Sequence, residues 1–156
     1  MPETVVYGWE CKLWVDSSAS YAGTPGTPTW EELDSVEGVT LSCAPEALDV
    51  SPRAAGAFKV GLPGRVECKI SGSIWWTNGK AELTALKAAA IGRSPLNVRA
   101  LLGAATNADA KGVKGDFFFS KWDEKQEGEA VKVDFELMPY ASIRANFVQA
   151  DTGVAA

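Results

Sequence analysis

The chain has 156 residues, with 15 basic and 20 acidic side chains, a net charge of −5 and no histidine. That length holds one core, so a single domain over residues 1–156 is expected. The acidic balance opposes nucleic acid as a held ligand, the lack of histidine removes every Ser-His or Cys-His nucleophile, and no apolar run reaches the roughly 18–20 residues that span a bilayer.

The start, Met1 to Tyr7, lacks the basic cluster and apolar run of a secretory leader. From Thr4 to Val15 the side chains alternate, with Val5, Tyr7, Trp9, Cys11 and Leu13 on one face, which predicts a strand. Residues 16–29 are rich in Ser, Gly, Thr and Pro and predict a flexible exposed loop. Trp30–Leu33 and Val36–Ser42 read as short strands bent at Asp34 and Ser35. From Cys43 to Arg65 three prolines break the pattern. A long loop is expected there, and its Leu48, Val50 and Phe58 call for something to pack against.

Val66–Trp76 alternates Val66, Cys68, Ile70, Ile74 and Trp76 against Glu67, Lys69, Ser71 and Ser73, which predicts a strand with one dry and one wet face. Adjacent Trp75 and Trp76 then point to opposite faces, so at least one leaves the core, and both are candidate subunit-interface residues. A helix is expected within 78–91, capped by Thr77 or Asn78, buried through Leu83, Leu86 and Ala90, and stopped by Gly92. Asn97–Leu102 predicts a strand and Gly103–Gly112 a loop. Asp116–Glu124 and Glu129–Met138 predict a hairpin turning at Gly128. Ile143–Ala150 reads as an edge strand and 151–156 as a frayed tail. The fold class that follows is mainly β: an antiparallel sandwich or partly closed barrel with one flanking α-helix.

Cys11, Cys43 and Cys68 are odd in number and widely spaced, so they predict small buried hydrophobes rather than a disulfide framework or a zinc site. Gly61, Gly64 and Arg65 form no phosphate loop. Glu31 with Glu32, or Asp123 with Glu124, read as solvated carboxylates before they read as a glycosidase pair. The acids of Asp123–Glu129 lack calcium-loop spacing. No enzyme, metal or cofactor is expected.

Several segments taken in order carry a resemblance: Trp30-Glu31-Glu32-Leu33, Val36–Leu41, Glu46–Arg53, and Val66–Trp76 with its Ser71-Gly72-Ser73. They continue with the helix holding Leu83 and Leu86, the hairpin strand Asp116–Trp122, and Gly128–Pro139. From Trp30 to about Ser142 the chain resembles the major tail tube proteins of long-tailed bacteriophages. The resemblance implies sixfold rings whose sheets join between subunits, stacked into a hollow tube that conducts DNA to the host without sequence-specific contact. It implies a virion protein made in the host cytoplasm, with the tape measure, tail terminator and baseplate or tip proteins as partners. Under it, Glu46, Leu48, Asp49, Val50, Arg53 and Phe58 of the 43–65 loop form the ring-to-ring contact. Glu67, Lys69, Ser71, Lys132, Asp134 and Glu136 line the channel, where a net acidic wall repels phosphates. Two other readings compete: a monomeric carbohydrate- or surface-binding sandwich using Trp75 and Trp76, and a secretion-system tube subunit.

Overall fold

The computed structural model describes residues 11–18, 28–50, 61–106, 110–141 and 149–152. In chain order the elements are β1 (Cys11–Asp16), β2 (Trp30–Glu32), β3 (Val36–Asp49), β4 (Gly61–Trp75), α1 (Ala81–Gly92), β5 (Leu96–Leu102), β6 (Lys111–Glu127), β7 (Ala130–Pro139) and β8 (Gln149–Thr152). All pairings are antiparallel and form one sheet in the order β2-β1-β5-β6-β7-β4-β3, with β8 also on β6; the sheet does not close.

The longest strand, β6, belongs to two wings. Lys111–Phe117 pairs with β5, whereas Phe117–Glu127 pairs with β7, and the ladder is irregular between Phe119 and Lys121. A β-bulge bends and twists its strand, so the sheet can turn over at this point. Leu13, Val15, Val98 and Ala100 of the first wing share one core with Ile70, Ile74, Val133, Phe135 and Leu137 of the second. The two wings therefore face each other as layers of a sandwich, and Leu83, Leu86 and Ala89 of α1 complete the same core. Among the described residues no helix is long and apolar enough to cross a membrane.

The first wing is covered on both sides, since Leu13–Asp16 and Leu96–Leu101 are buried without alternation. Buried polar groups there must find partners. The Asp16 carboxylate, fully buried, accepts from the backbone N–H of Ser18 and of Thr29, both at 2.9 Å, and from the Asn97 side-chain amide at 3.3 Å. The Ser17 N–H also donates to the Thr29 carbonyl at 2.8 Å. The expected 16–29 loop is thus pinned at its neck, while residues 19–27 lie outside those described.

Several boundaries differ from the sequence expectation. The first strand is described from Cys11, so Thr4–Glu10 lies outside the described residues. β6 begins at Lys111 rather than Asp116, because Gly112 and Gly115 look like loop residues but sit within the ladder. A Cβ on Gly112 would run into the carbonyl of Ala100. The edge strand expected at Ile143–Ala150 is described from Gln149, with 143–148 outside the described residues, and it extends into the expected tail through Asp151 and Thr152, which pair with Gly112 and Lys111.

Neither Thr77 nor Asn78 caps α1. Lys80 holds the cap position without a side-chain cap bond, and Asn78 Oδ1 instead accepts from Trp76 Nε1 at 3.0 Å. The helix includes Gly92, and the left-handed turn that ends it falls on Arg93 (φ 55°). Gly128 opens the β6–β7 turn at φ 64°, a conformation free of Cβ strain only for glycine.

Candidate functional site

The second wing has one dry and one wet face, as alternation dictates. On β4 the side chains of Cys68, Ile70 and Ile74 are buried, and on β7 those of Val133, Phe135 and Leu137. Intervening residues turn outward, which brings Glu67, Lys69, Ser71, Lys132, Asp134 and Glu136 onto one face. Glu37, Ser73, Lys121, Asp123 and Lys125 join them through the same registers.

This face is an ion-pair lattice. Asp134 lies 2.8 Å from Lys125 and accepts from the Ser73 hydroxyl at 2.7 Å. Lys132 meets Glu37 at 3.2 Å, Lys121 meets Asp123 at 3.2 Å, and Lys69 meets Glu67 at 3.5 Å. The Ser120 hydroxyl donates to Glu136 at 3.0 Å. Hydrogen bonds from Lys125 and Ser73 hold the Asp134 carboxyl below the usual carboxylate range, and those from Trp75 and Lys132 do the same for Glu37. Each lysine of the face is thus occupied by a carboxylate. Glu37, Glu67, Asp123, Asp134 and Glu136 outnumber Lys69, Lys121, Lys125 and Lys132 by one.

The two tryptophans separate as the alternation requires. Trp75 lies half-exposed on the polar face with Lys132 Nζ 5.0 Å from its ring centroid. Trp76 leans on the core with Lys87 5.4 Å from its ring.

Of the segment 43–65, expected to be a loop, the described residues 43–49 and 61–65 lie in paired antiparallel strands. β3 pairs with β4 from Val36↔Ile74 to Asp49↔Gly61, but β7 pairs with β4 only over Ile70–Trp75. Ser42–Asp49 and Gly61–Lys69 therefore continue as a two-stranded arm, about 25 Å long at roughly 3.3 Å per residue. The prolines concealed it. Pro45 sits beside a register shift on β3, and β3 has no outer partner in the sheet, two settings in which a strand tolerates proline.

Cys43 and Cys68 face each other at the arm's root and form a disulfide, against the expectation of three buried thiols; only Cys11 is a free cysteine. Spacing of 25 residues gave no hint of this, because the pairing depends on the hairpin register. A two-stranded ribbon is marginal by itself, so a covalent tie at its root favours the extended arm.

Toward the tip Leu48 lies across from Leu62, 50% and 56% exposed, with Val50 also exposed. Glu46 and Asp49 are exposed beside them. Arg53 and Phe58 lie outside the described residues.

Three stretches of strand edge lack a partner in the second wing among the described residues: the outer side of β3, the side of β6 beyond Phe117, where β5 has ended, and the inner side of β4 over Gly61–Lys69, which β7 does not reach. Carboxylates considered for catalysis do not converge. Asp123 pairs with Lys121, while Glu124, next along the strand, turns away to Lys87 at 2.8 Å. Among the described residues no group of three or more His, Cys, Asp or Glu side chains could hold a metal.

The sequence matches no protein-family model and no curated protein. The fold has clear counterparts among solved structures. A gene transfer agent tail with C6 symmetry is 13% identical at a TM-score of 0.69, covering 94% of this chain and 98% of that one. The SPP1 tail tube is 12% identical at 0.71, covering 96% and 81%. The sheath–tube complex of an extracellular contractile injection system is 11% identical at 0.56, covering 96% and 93%. The chain thus has the fold of proteins that build tails and tail tubes.

Proposed function

We propose that the chain is the repeating subunit of a phage tail tube, closing into sixfold rings that stack around a channel for DNA. The observation that carries this reading is fold agreement over nearly the whole chain with tail and tail-tube proteins, one of them determined with C6 symmetry.

The open edges supply the physical route. Unpaired backbone on β3 and on distal β6 lies at opposite margins of the second wing, which has four strands in the order β6-β7-β4-β3. Joining the β3 of one copy to the β6 of the next satisfies both of these edges and removes them from uncontrolled pairing. Six copies would then close a barrel of roughly 24 strands, about 40–50 Å across the backbone, wide enough for a DNA duplex with side chains on the wall.

With the core on the outer side of that barrel, Glu67, Lys69, Ser71, Lys132, Asp134 and Glu136 face the channel. Their lysines are already matched by carboxylates, so a passing phosphate finds few counter-charges to hold it. The arm, with Leu48 and Val50 exposed, reaches from ring to ring. Trp75 and Trp76, at the end of β4, are the interface candidates beside the joint. The subunit is made in the host cytoplasm, resides in the virion tail, and meets tape measure, terminator and baseplate or tip proteins along or at the ends of the tube.

A second reading, the tube of an injection system that moves protein, draws on the likeness to the extracellular contractile injection system and predicts the same assembly.

Negative-stain microscopy of the concentrated protein tests assembly. Rings with sixfold end views, or tubes, are expected; single particles at every concentration would replace this reading with the monomeric binding module.

A further inference from the structure

We propose that the Cys43–Cys68 bond is a redox latch on the arm. As a disulfide it holds Ser42–Asp49 and Gly61–Lys69 paired and extended; as two thiols it lets them fray. The order of the arm follows from the bond alone, and its consequence for ring stacking rests on the tube-subunit reading.

The bond stands where four strands become two. β7 pairs with β4 as far as Ile70↔Leu137, and Cys43↔Cys68 lies just beyond that point. Successive residues of a strand turn their backbone groups to opposite sides. The Trp75 N–H donates to Ser35, which leads into β3, and the Trp76 N–H donates to Val131 of β7. Even-numbered residues of β4 therefore face β7. The irregularity between Glu37 and Thr40 inserts its extra residue on β3, so this alternation holds along β4 down to Cys68.

At Cys68 the backbone N–H and C=O thus point away from β3, toward the side where β7 has stopped. In the continued register the residue opposite is Pro139, which has no N–H to donate. No backbone hydrogen bond ties Cys68 to Cys43 in this alternation, and the sulfur–sulfur bond holds that rung. Beyond it come Pro45 and a second register shift, with no third strand alongside. A two-stranded ribbon is marginal in water, and a bond across a separation of 25 residues removes many of its open arrangements. The exposed Leu48 and Leu62 lie farther out, so their reach beyond the ring depends on this tie.

Access to the two sulfurs is unequal, since Cys43 is exposed and Cys68 buried. An external thiolate attacks the Cys43 sulfur, forming a mixed disulfide, and Cys68 leaves as the thiolate. A second external thiol then attacks the mixed disulfide and frees Cys43. Two electrons have passed to the cysteines, which end as two thiols, while the external thiols end as one disulfide. Closure runs in reverse: a small-molecule disulfide such as oxidised glutathione accepts both electrons and departs as two thiols. A reducing compartment opens the latch and an oxidising one closes it.

The test compares wild-type chain reduced with dithiothreitol and the same chain treated with oxidised glutathione. Thiol titration in denaturant fixes the state: three thiols in the first, and in the second one, that of Cys11. Amide hydrogen exchange in Ser42–Asp49 and Gly61–Lys69 is expected to quicken about tenfold or more on reduction, with exchange in the β6–β7 ladder unchanged. Sedimentation should show tubes at about tenfold lower concentration for the oxidised chain, and reoxidation should restore both properties. Cys43→Ser should behave as the reduced chain in either condition, whereas Cys11→Ser should keep the full response. Equal arm exchange in the two states, or three thiols after oxidation, overturns the latch. An arm that responds while tubes form equally well overturns its role in stacking. Tubes from neither state count against the tube-subunit reading instead, and the exchange rates of the arm still decide the latch.

Discussion

Replacing Gly112 by alanine is expected to lower stability by about 3 kcal/mol or more, enough to leave much of the protein unfolded at 25 °C. A Cβ there would collide with the Ala100 carbonyl and crowd the Leu101 Cα, all backbone atoms of the paired strand. Such atoms cannot swing aside as a side-chain tip can. They move only if the β5–β6 ladder moves, and that ladder carries the buried Val98, Ala100 and Val113 of the core. The control is Gly79→Ala, where nothing lies within 4 Å of the new Cβ and the cost is the positive φ of 88°, about 1 kcal/mol. Urea titration followed by tryptophan fluorescence separates the two. Similar midpoints for both variants would mean that the strands are not so closely apposed.

Removing the Asp16 carboxylate by Asp16→Ala is expected to cost about 3 kcal/mol, since two backbone N–H groups and the Asn97 amide lose their acceptor in a buried place. Burial pushes the Asp16 carboxyl up, but hydrogen bonds from Ser18, Thr29 and Asn97 outweigh it and hold the group below its ordinary value. A depressed folded pKa contributes stability above the unfolded value of about 3.9, and that contribution is lost as pH falls through the lower folded value. Wild-type protein should therefore lose stability below about pH 4. Asp16→Asn, which keeps an acceptor but cannot titrate, should be less stable than wild type at pH 7 and lose less on acidification. Asp34, Glu37, Glu124 and Asp134 are also held low, but they are more exposed and solvent screens them, so Asp16 should dominate. Urea unfolding at pH 7 and pH 3 measures the difference; parallel losses in wild type and Asp16→Asn would refute the assignment.

Much of the fold is legible in the sequence because alternation and helical spacing are local signals. Val66–Trp76, the helix with Leu83 and Leu86, and the hairpin about Gly128 appear where those patterns place them. The six residues assigned to the channel share one face for the same reason: parity along β4 and β7 sorts them regardless of what the face does. The arm was hidden because Pro45 and Pro63 break a local pattern, whereas strand pairing across 25 residues is a property of register. The Cys43–Cys68 bond was hidden with it. Arg93 gave no sequence signal either, since Gly92 beside it looks like the natural helix stop and only the backbone shows the turn one residue later.

Tubes assembled from this chain, reconstructed by electron microscopy, should show six copies per ring, the β3 of each beside the β6 of the next, with Lys69, Ser71, Asp134 and Glu136 facing the channel. A ring joined through other strands, or one that turns this polar face outward and lines its lumen with unpaired basic residues, would contradict this arrangement.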